Sequence, residues 1–485
     1  MKTLSDPVYG TIQMTDLEIR VLDTPTFQRL RRVSQLGLTE LVFPSAGFSR
    51  FTHSIGVCHL TGLMLNYLAK NSDSFKITDQ ELQLYRLAGL LHDLGHYPYS
   101  HIVEHATKQA YTERFVLKAP GAAANTDSDS SYLSHERLSF DVAKLDPQIH
   151  RVLSSANVDA SDIWAIIWGE DRFHTGDKRP VPIRNLISAD MDADRLDYML
   201  RTNHHSGIPY GFVDLDYLLT QLRYHPDRRI FTLGPKALAA ADHMLVNRFF
   251  NYQQIAFNKS VAGLELALEH LLLFMLGTDR MDLTPNTLKA MIGAGRWCEY
   301  DENWMRSKME LVLRDEVRGT VPSDLARAVL DRHPLKLLQE HLRFSKIETT
   351  SEKEYAAKLL QVRMALPRVA KGLRIEPERL LVWGRQIKLT KVPSSVEVTL
   401  VGDEDVMDSS RLDAIQISNS SGDATPIVTH RHSLMQVLSQ FAWESIRVYM
   451  LPKSTWTPRT LDSRVTAGSR AVLDALPAAD FGDGT

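Results

Sequence analysis

The chain is poor in cysteine: its 485 residues include only Cys58 and Cys298. That excludes a disulfide framework or a cysteine-rich zinc site and fits a reducing compartment. It also lacks an excess of charge of either sign. With 56 Lys and Arg against 59 Asp and Glu, the formal net charge is −3. No overall field therefore draws nucleic acid or an anionic membrane to the surface. No run approaches the roughly 18 uninterrupted apolar residues of a membrane span. The opening segment MKTLSDPVYG has no signal-like apolar stretch. A cytoplasmic protein is expected, with no membrane partner and no strong nucleic-acid signal. Any phosphate binding has to come from local clusters of Arg, Lys and His. There is no internal repeat, Walker-type glycine loop or dinucleotide fingerprint, and Gly293-Ala294-Gly295 lacks the glycine that would follow.

What is present is mostly helical patterning. Thr78 or Asp79 can cap a helix with Leu82, Tyr85, Leu87, Leu90 and Leu91 at helical spacing, closed by Gly95. His92 and Asp93 then fall at its C-terminal end. His53 to Leu68 reads as another helix, Met191 to Arg201 as a third, with more near 237–258 and 260–276. Residues 120–131 are small and polar and read as a mobile loop or lid running into Ser134, which can cap a helix starting at His135. Helix is expected to continue through 280–365. Beyond it Leu380–Leu389, Val396–Val401, Ala414–Ile417 and Ile446–Met450 are β-branched runs, with a helix near His432–Ser445 between the last two. Trp383, Trp443 and Trp456 read as packing anchors of that lobe, and the tail ending in Gly482-Asp483-Gly484-Thr485 as frayed.

The sharpest chemical signal is Leu91-His92-Asp93-Leu94-Gly95-His96. An imidazole and a carboxylate side by side at a loosening helix end can reach one cation, and the pair suits iron, manganese or zinc. Alone, such a pair is as well explained as a capped helix end. Its context is Arg50-Phe51-Thr52-His53-Ser54 upstream and Asp192-Ala193-Asp194-Arg195-Leu196-Asp197-Tyr198 downstream, with Asp194 and Tyr198 on one helical face.

The order His … His-Asp … Asp is that of the HD phosphohydrolase superfamily. The chain further resembles the dNTP triphosphohydrolases related to the mammalian SAM-and-HD-domain enzyme and the bacterial dGTPase-like proteins. The resemblance rests on Asp6-Pro7-Val8-Tyr9-Gly10, Asp23 to Arg31, Gln35-Leu36-Gly37, Phe43-Pro44, Arg50 to Val57, His92 to His96, Ser100-His101 and Asp192 to Tyr198. It covers about 1–275. The fold it implies is mainly α: an HD-domain helical core (1–275), a helical extension (276–365) and a smaller C-terminal α+β lobe for regulation or oligomerisation (366–485).

The resemblance implies His53, His92, Asp93 and Asp194 as metal ligands, and His135 as general acid with Glu136, Glu104 and His96 near it. It places Arg50, His96, His101, Arg195, Tyr198 and Arg248 around the triphosphate, and Gln35 and Leu36 beside the sugar. Asp23, Gln28 and Arg31 fall where relatives contact an allosteric nucleotide, as does Lys2; a basic helix face formed by Arg29, Arg31 and Arg32 is the plainer reading. Two positions depart from the family pattern. Thr202 stands where relatives hold the sugar 3′-hydroxyl with an acid, and Ala256, beside Phe257, stands where they place a tyrosine under the sugar.

The implied activity is hydrolysis of a deoxynucleoside triphosphate to deoxynucleoside and tripolyphosphate, with Mg²⁺ accompanying the triphosphate. A homo-oligomer activated by nucleotide is implied too, and in a bacterial setting dNTP depletion during phage infection. Two alternatives stay open. One is an HD phosphatase or nucleotidase on another nucleotide, prompted by Thr202 and Ala256. The other is a nucleotide-sensing regulator whose C-terminal lobe meets a protein partner.

Overall fold

In the computed structural model the described residues are all but 119–132, 170–181, 210, 348–350, 391–413, 420–421 and 477–485. The 120–131 segment, the run at 396–401 and the terminal tail therefore lie outside the described residues. The protein is mainly α, with a helical core and a smaller α+β lobe.

At the centre lies the Arg50–Asn71 helix, paired with the Asp79–Leu91 and Ala193–Ser206 helices. Local chemistry sets their ends. Thr78 and Glu81 form a reciprocal capping box that satisfies two otherwise orphaned N–H groups. Asp192 caps the helix that carries Asp194, and Gly207, in the left-handed region at φ 69°, closes it. The helices expected near 237–258 and 260–276 are Leu238–Asn251, continued by a π-helical turn over Tyr252–Ala256, and Lys259–Gly277. Lys259–Gly277 is long and apolar enough to cross a membrane by length and composition. Here its Leu268, Leu271 and Leu272 are fully buried in the core.

Several segments differ from the sequence reading. The first residues form an antiparallel hairpin, Lys2–Asp6 with Gly10–Met14, turned by Asp6 Oδ1 accepting from the N–H of Val8 and Tyr9 at 2.9 and 3.1 Å. Lys336–Lys346, expected to be helical, is a strand. Its Leu and Lys content favours helix locally, but it pairs along its length with Phe441–Met450, whose other edge takes Leu380–Lys388. Only a four-residue helix, Met435–Leu438, forms where His432–Ser445 was expected to be helical; the chain is extended again from Phe441. The small lobe therefore begins at Lys336, and residue 366 falls inside the Ser351–Leu373 helix.

The lobe is fused to the core. Leu233 pairs in parallel with Ile417, and one hydrophobic cluster runs from Ile12 through Trp383, Trp443 and Leu451. A second, smaller cluster lies between the three-stranded sheet and the Ser351–Leu373 and Pro458–Ala475 helices. Arg379, fully buried, fastens the junction: it donates to Asp324 Oδ2 at 2.9 Å and to the Gly319 carbonyl at 2.7 Å. Removing it strands the Asp324 carboxylate in the interior. Arg379→Ala is expected to lower stability by about 3–5 kcal/mol, read as a drop in the midpoint of thermal or urea unfolding. An unchanged midpoint would show that the lobe is not held there.

Candidate active site

His53, on the first turn of the Arg50–Asn71 helix, is fully buried and fixed from behind. Its Nδ1 is 2.7 Å from Asp197 Oδ2. Arg201 grips Asp197 with two donors (3.0 and 2.9 Å) and reaches Asp6 Oδ2 of the N-terminal hairpin at 2.8 Å. Room for this comes from Gly56, where an added Cβ would lie 1.9 Å from Asp197 Oδ1 and 2.3 Å from Arg201 Nη2. With Nδ1 donating to a carboxylate, the His53 Nε2 lone pair faces forward, a common arrangement for a metal-ligating histidine.

His92 is prepared in the same way. It caps the Asp79–Leu91 helix, and its Nδ1 meets the Gly89 carbonyl at 2.8 Å, so its Nε2 is also directed into the site. The two Nε2 atoms are buried, and among the described residues neither makes a hydrogen bond of good geometry. Asp194 Oδ1 lies 3.0 Å from His53 Nε2 and 3.8 Å from His92 Nε2. Asp93 completes the set, with Oδ1 3.4 Å from His92 Nε2 and Oδ2 3.8 Å from His53 Nε2. Two imidazole nitrogens facing two carboxylates fit a divalent transition metal. Burial works against charge on Asp194, yet His53 and His92 hold its carboxyl down at about 2. Asp93 is likewise held low against burial, chiefly by Arg50.

Beside this cluster stand three more imidazoles. Gly95 abuts the His135–Leu145 helix so closely that a Cβ there would lie 2.0 Å from Ser139 N, and its N–H donates to Ser139 Oγ at 2.8 Å. That contact lets the His96 and His135 rings stack, with centroids 4.3 Å apart. Glu104, buried on the next helix, meets His135 Nδ1 at 2.9 Å and His101 Nδ1 at 3.2 Å, and also accepts the His135 backbone N–H at 3.0 Å. His96, His101 and His135 bring their nitrogens within 4.8 Å of one another, close enough to share a cation or an anionic group according to their protonation. Burial pulls the His135 imidazole down, but Glu104 outweighs it and holds it above the usual range. His96 is driven well below that range by burial and by Arg50. The two stacked imidazoles are thus pushed in opposite directions, His135 towards its protonated form and His96 towards its neutral one.

Arg50 bridges the parts. It donates to Ser100 Oγ at 3.0 and 2.8 Å and pairs with Asp93. The turn that presents Ser100 puts Tyr99 and Ser100 both at positive φ, 55° and 57°. Such strain in non-glycine residues concentrates at functional sites.

Two cavities meet at the cluster and share Asp93, His135, Asp194 and Arg195 in their walls. The first, about 450 Å³, is largely polar, with Glu136, Arg184, Asn185, Ser188 and Asp192. The second, about 540 Å³, is lined by Gln35, Leu36, Arg50, His96, His101 and Tyr198, among other residues. Phe257, beside Ala256, lines it too, and it adds Tyr252, Trp383 and Arg385, which the sequence reading did not place there.

Three expectations are corrected. Arg248 does not face either cavity: its guanidinium is taken up by the Asp190 carboxylate (3.2 Å), the Asp190 carbonyl (2.8 Å) and the Leu389 carbonyl (2.7 Å). Thr202 is fully buried and lines neither cavity. Arg29 is no part of a basic surface; it is buried under the HD loop, donating to the carbonyls of His96 (2.6 Å) and Tyr300. The proposed regulatory residues make local contacts. Gln28 donates to the Leu22 carbonyl at 2.7 Å, Arg31 meets Gln28 at 2.7 Å and covers the Phe51 ring, and Asp23 ends the Asp16–Leu22 helix.

A buried His-Asp pair with a distant histidine and aspartate around one point is the donor set of an HD domain, and residues 50–199 match that family's model. The chain carries an HD domain over that stretch. Among known proteins it is similar to the deoxynucleoside triphosphate triphosphohydrolase SAMHD1 of Danio rerio, 34% identical over 227 residues (44% of this chain, 35% of that one). It also resembles the uncharacterized protein YwfO of Bacillus subtilis, 28% identical over 276 residues (56% and 55%). The chain thus spans little more than half the length of such curated relatives, or less. Two solved structures share the fold. A phosphohydrolase from Bacteroides thetaiotaomicron has a TM-score of 0.63 at 20% identity, covering 93% of this chain and 99% of that one. A hypothetical protein from Aquifex aeolicus has a TM-score of 0.66 at 22% identity, covering 96% and 99%.

The support behind His53 gives a direct test. Asp197→Asn keeps the shape but removes the carboxylate, and metal affinity should fall about 10- to 100-fold in a chelator competition read by elemental analysis. Unaltered affinity would mean that Asp197 serves only to hold the fold.

Proposed function

We propose that the protein is a metal-dependent hydrolase of deoxynucleoside triphosphates, yielding deoxynucleoside and tripolyphosphate. The observation that carries this is the meeting of a polar cavity and an aromatic-walled cavity at the metal-ligand cluster, with His135 in both walls. A nucleotide has the same division into an anionic and an aromatic part. Relatives named as deoxynucleoside triphosphate triphosphohydrolases support the same reading.

His53, His92, Asp93 and Asp194 would hold the metal, and manganese, iron and zinc all suit these donors. Bound there, such an ion supplies a water of lowered pKa and an electrophilic centre near neutral pH. The side chains do the rest. Arg50, His101 and Arg195 offset phosphate charge and orient the α-phosphorus, with Mg²⁺ accompanying the polyphosphate. Water oxygen joins phosphorus, the bond to the 5′-oxygen breaks, the His135 proton passes to that oxygen, and the proton given up by the water leaves to solvent, from which His135 is reprotonated. Because Nδ1 of His135 is held by Glu104, the transferable proton is on Nε2. Glu136, exposed at the mouth, borders the polar side. Tyr252 and Phe257 flank Ala256 in the larger cavity and provide an aromatic surface for the sugar. Homo-oligomerisation, nucleotide activation through Asp23, Gln28 and Arg31, and a cytoplasmic setting accompany this reading. A second reading, hydrolysis of a different nucleotide, is favoured by Thr202, which puts no acid into the cavity to hold a 3′-hydroxyl.

The test is incubation of Mn²⁺-loaded protein, with Mg²⁺, in a mixture of dNTPs and NTPs, with products followed by anion exchange and mass spectrometry. Deoxynucleosides and intact tripolyphosphate are expected, and none with His92→Ala/Asp93→Ala. No turnover of any triphosphate by the loaded protein would end this reading. The acid role makes a further prediction. His135 must be protonated, and its pKa lies above the usual imidazole range, so kcat should fall only as pH rises past that raised value. Glu104→Gln removes the stabilising charge and should move this alkaline limb to lower pH. A limb that stays in place would exclude His135 as the titrating acid.

A further inference from the structure

A carboxylate from outside the matched stretch reaches the strained turn of the site. Glu302 is the first residue of the Glu302–Asp315 helix, directly after the Asp301 cap. The chain around it is laid against residues 29–34 contact by contact. Arg29 donates to the Tyr300 carbonyl, Arg32 pairs with Asp301, and the Ser34 N–H donates to Glu302 Oε1 at 2.7 Å. The same oxygen accepts the Tyr99 N–H at 3.3 Å. Among the described residues neither N–H has another acceptor. One oxygen atom thus pinches two segments together: the one that precedes Gln35, and the turn in which Tyr99 and Ser100 both take positive φ.

The path continues to Arg50. Ser100 Oγ donates to the Ser34 carbonyl at 2.8 Å and accepts from Arg50 Nε and Nη2 at 3.0 and 2.8 Å, so its one proton and both lone pairs are used. Ser34 is bridged to Ser49, and the Arg50 N–H donates to the Val33 carbonyl at 2.9 Å. Backbone and guanidinium of Arg50 are therefore both tied to the residues that Glu302 holds. Burial pushes the Glu302 carboxyl up to about 7 against its two N–H donors. An uncharged oxygen therefore serves there too, and glutamine is a shape-matched substitute. We propose that Glu302 is a positioning residue for Arg50, pinning the Tyr99–Ser100 turn so that the Ser100 hydroxyl holds the guanidinium in place for phosphate. The phosphate role of Arg50 rests on the nucleotide reading above.

The experiment is calorimetry with inorganic tripolyphosphate on the Mn²⁺-loaded protein, with thermal unfolding measured beside it. Glu302→Ala and Ser100→Ala should each weaken binding about 10-fold, the loss of one charge-assisted contact. The double variant should bind no worse than the weaker single, because both substitutions break one path. Glu302→Gln should recover most of the affinity. Losses that multiply in the double variant, or a Glu302→Ala that only lowers the unfolding midpoint, overturn the assignment and leave the nucleotide reading standing. If Glu302→Ala does not fold, Glu302→Asp, whose shorter side chain falls short of the two N–H groups, takes its place. If the wild type binds no tripolyphosphate, it is the nucleotide reading that suffers, and crystal structures of wild type and variant decide the positioning role. Ser100 Oγ moved out of hydrogen-bond reach of Arg50 supports it, and an unmoved turn overturns it.

Discussion

The chain of contacts from Asp6 through Arg201 and Asp197 to His53 is the constraint on which the site depends. Four buried polar side chains are joined end to end, and each has its charge or dipole answered by the next. Isolated, any of these charges would be expensive to bury. Joined, they restrict one another to a single geometry, because removing one member leaves a bare charge in the interior. The hairpin at residues 2–14 is thereby tied to a helix almost two hundred residues later. The imidazole at the end of the chain has no rotational freedom to lose when it takes a metal. Gly56 shows how tightly the arrangement is packed, since nothing larger fits beside Asp197.

The opposite half of the site is organised by Glu104. One buried carboxylate raises the pKa of His135 and steadies His101, while burial, aided by the Arg50 charge, lowers that of the stacked His96. Environment thus pushes identical side chains in opposite directions. The left-handed Tyr99–Ser100 turn links the halves, delivering the Ser100 hydroxyl to Arg50 and starting the helix that bears His101 and Glu104. Its strain is held in place by the bonds on either side.

Much of this could be read from the sequence where the signal is local. A cap at Thr78 or Asp79 and the apolar spacing after it put His92 and Asp93 at a helix end, and the Met191–Arg201 pattern put Asp194 on a helix, which the structure starts one residue after its Asp192 cap. The supporting Asp197 was also within reach, being an acid three residues beyond Asp194 on the same helix. What could not be read depends on pairing across long stretches of chain. Lys336–Lys346 has helix-forming composition and becomes a strand only because Phe441–Met450 lies alongside. Arg248 looks like a phosphate ligand until Asp190 and the Leu389 carbonyl are seen to occupy it. Arg29 looks like part of a basic face until it proves to be a staple under His96. Each of these cations already has its anion or carbonyl, and no sequence spacing reveals that.

The same long-range pairing changes what the C-terminal lobe is. As a separate appendage it could regulate the core only by moving against it. Instead Trp383 packs edge-on to Phe257 at 5.3 Å and Arg447 covers Trp383 at 4.7 Å while donating to the Phe257 carbonyl. Arg248 is bound to Leu389, and Leu233 is paired with Ile417. These contacts place Trp383 and Arg385 in the wall of a cavity whose other walls come from the HD core. The lobe therefore acts as a built-in side of the binding site. Substitutions in its sheet should reach the chemistry through the shape and charge of that wall, because the shared core leaves no free hinge between the two parts.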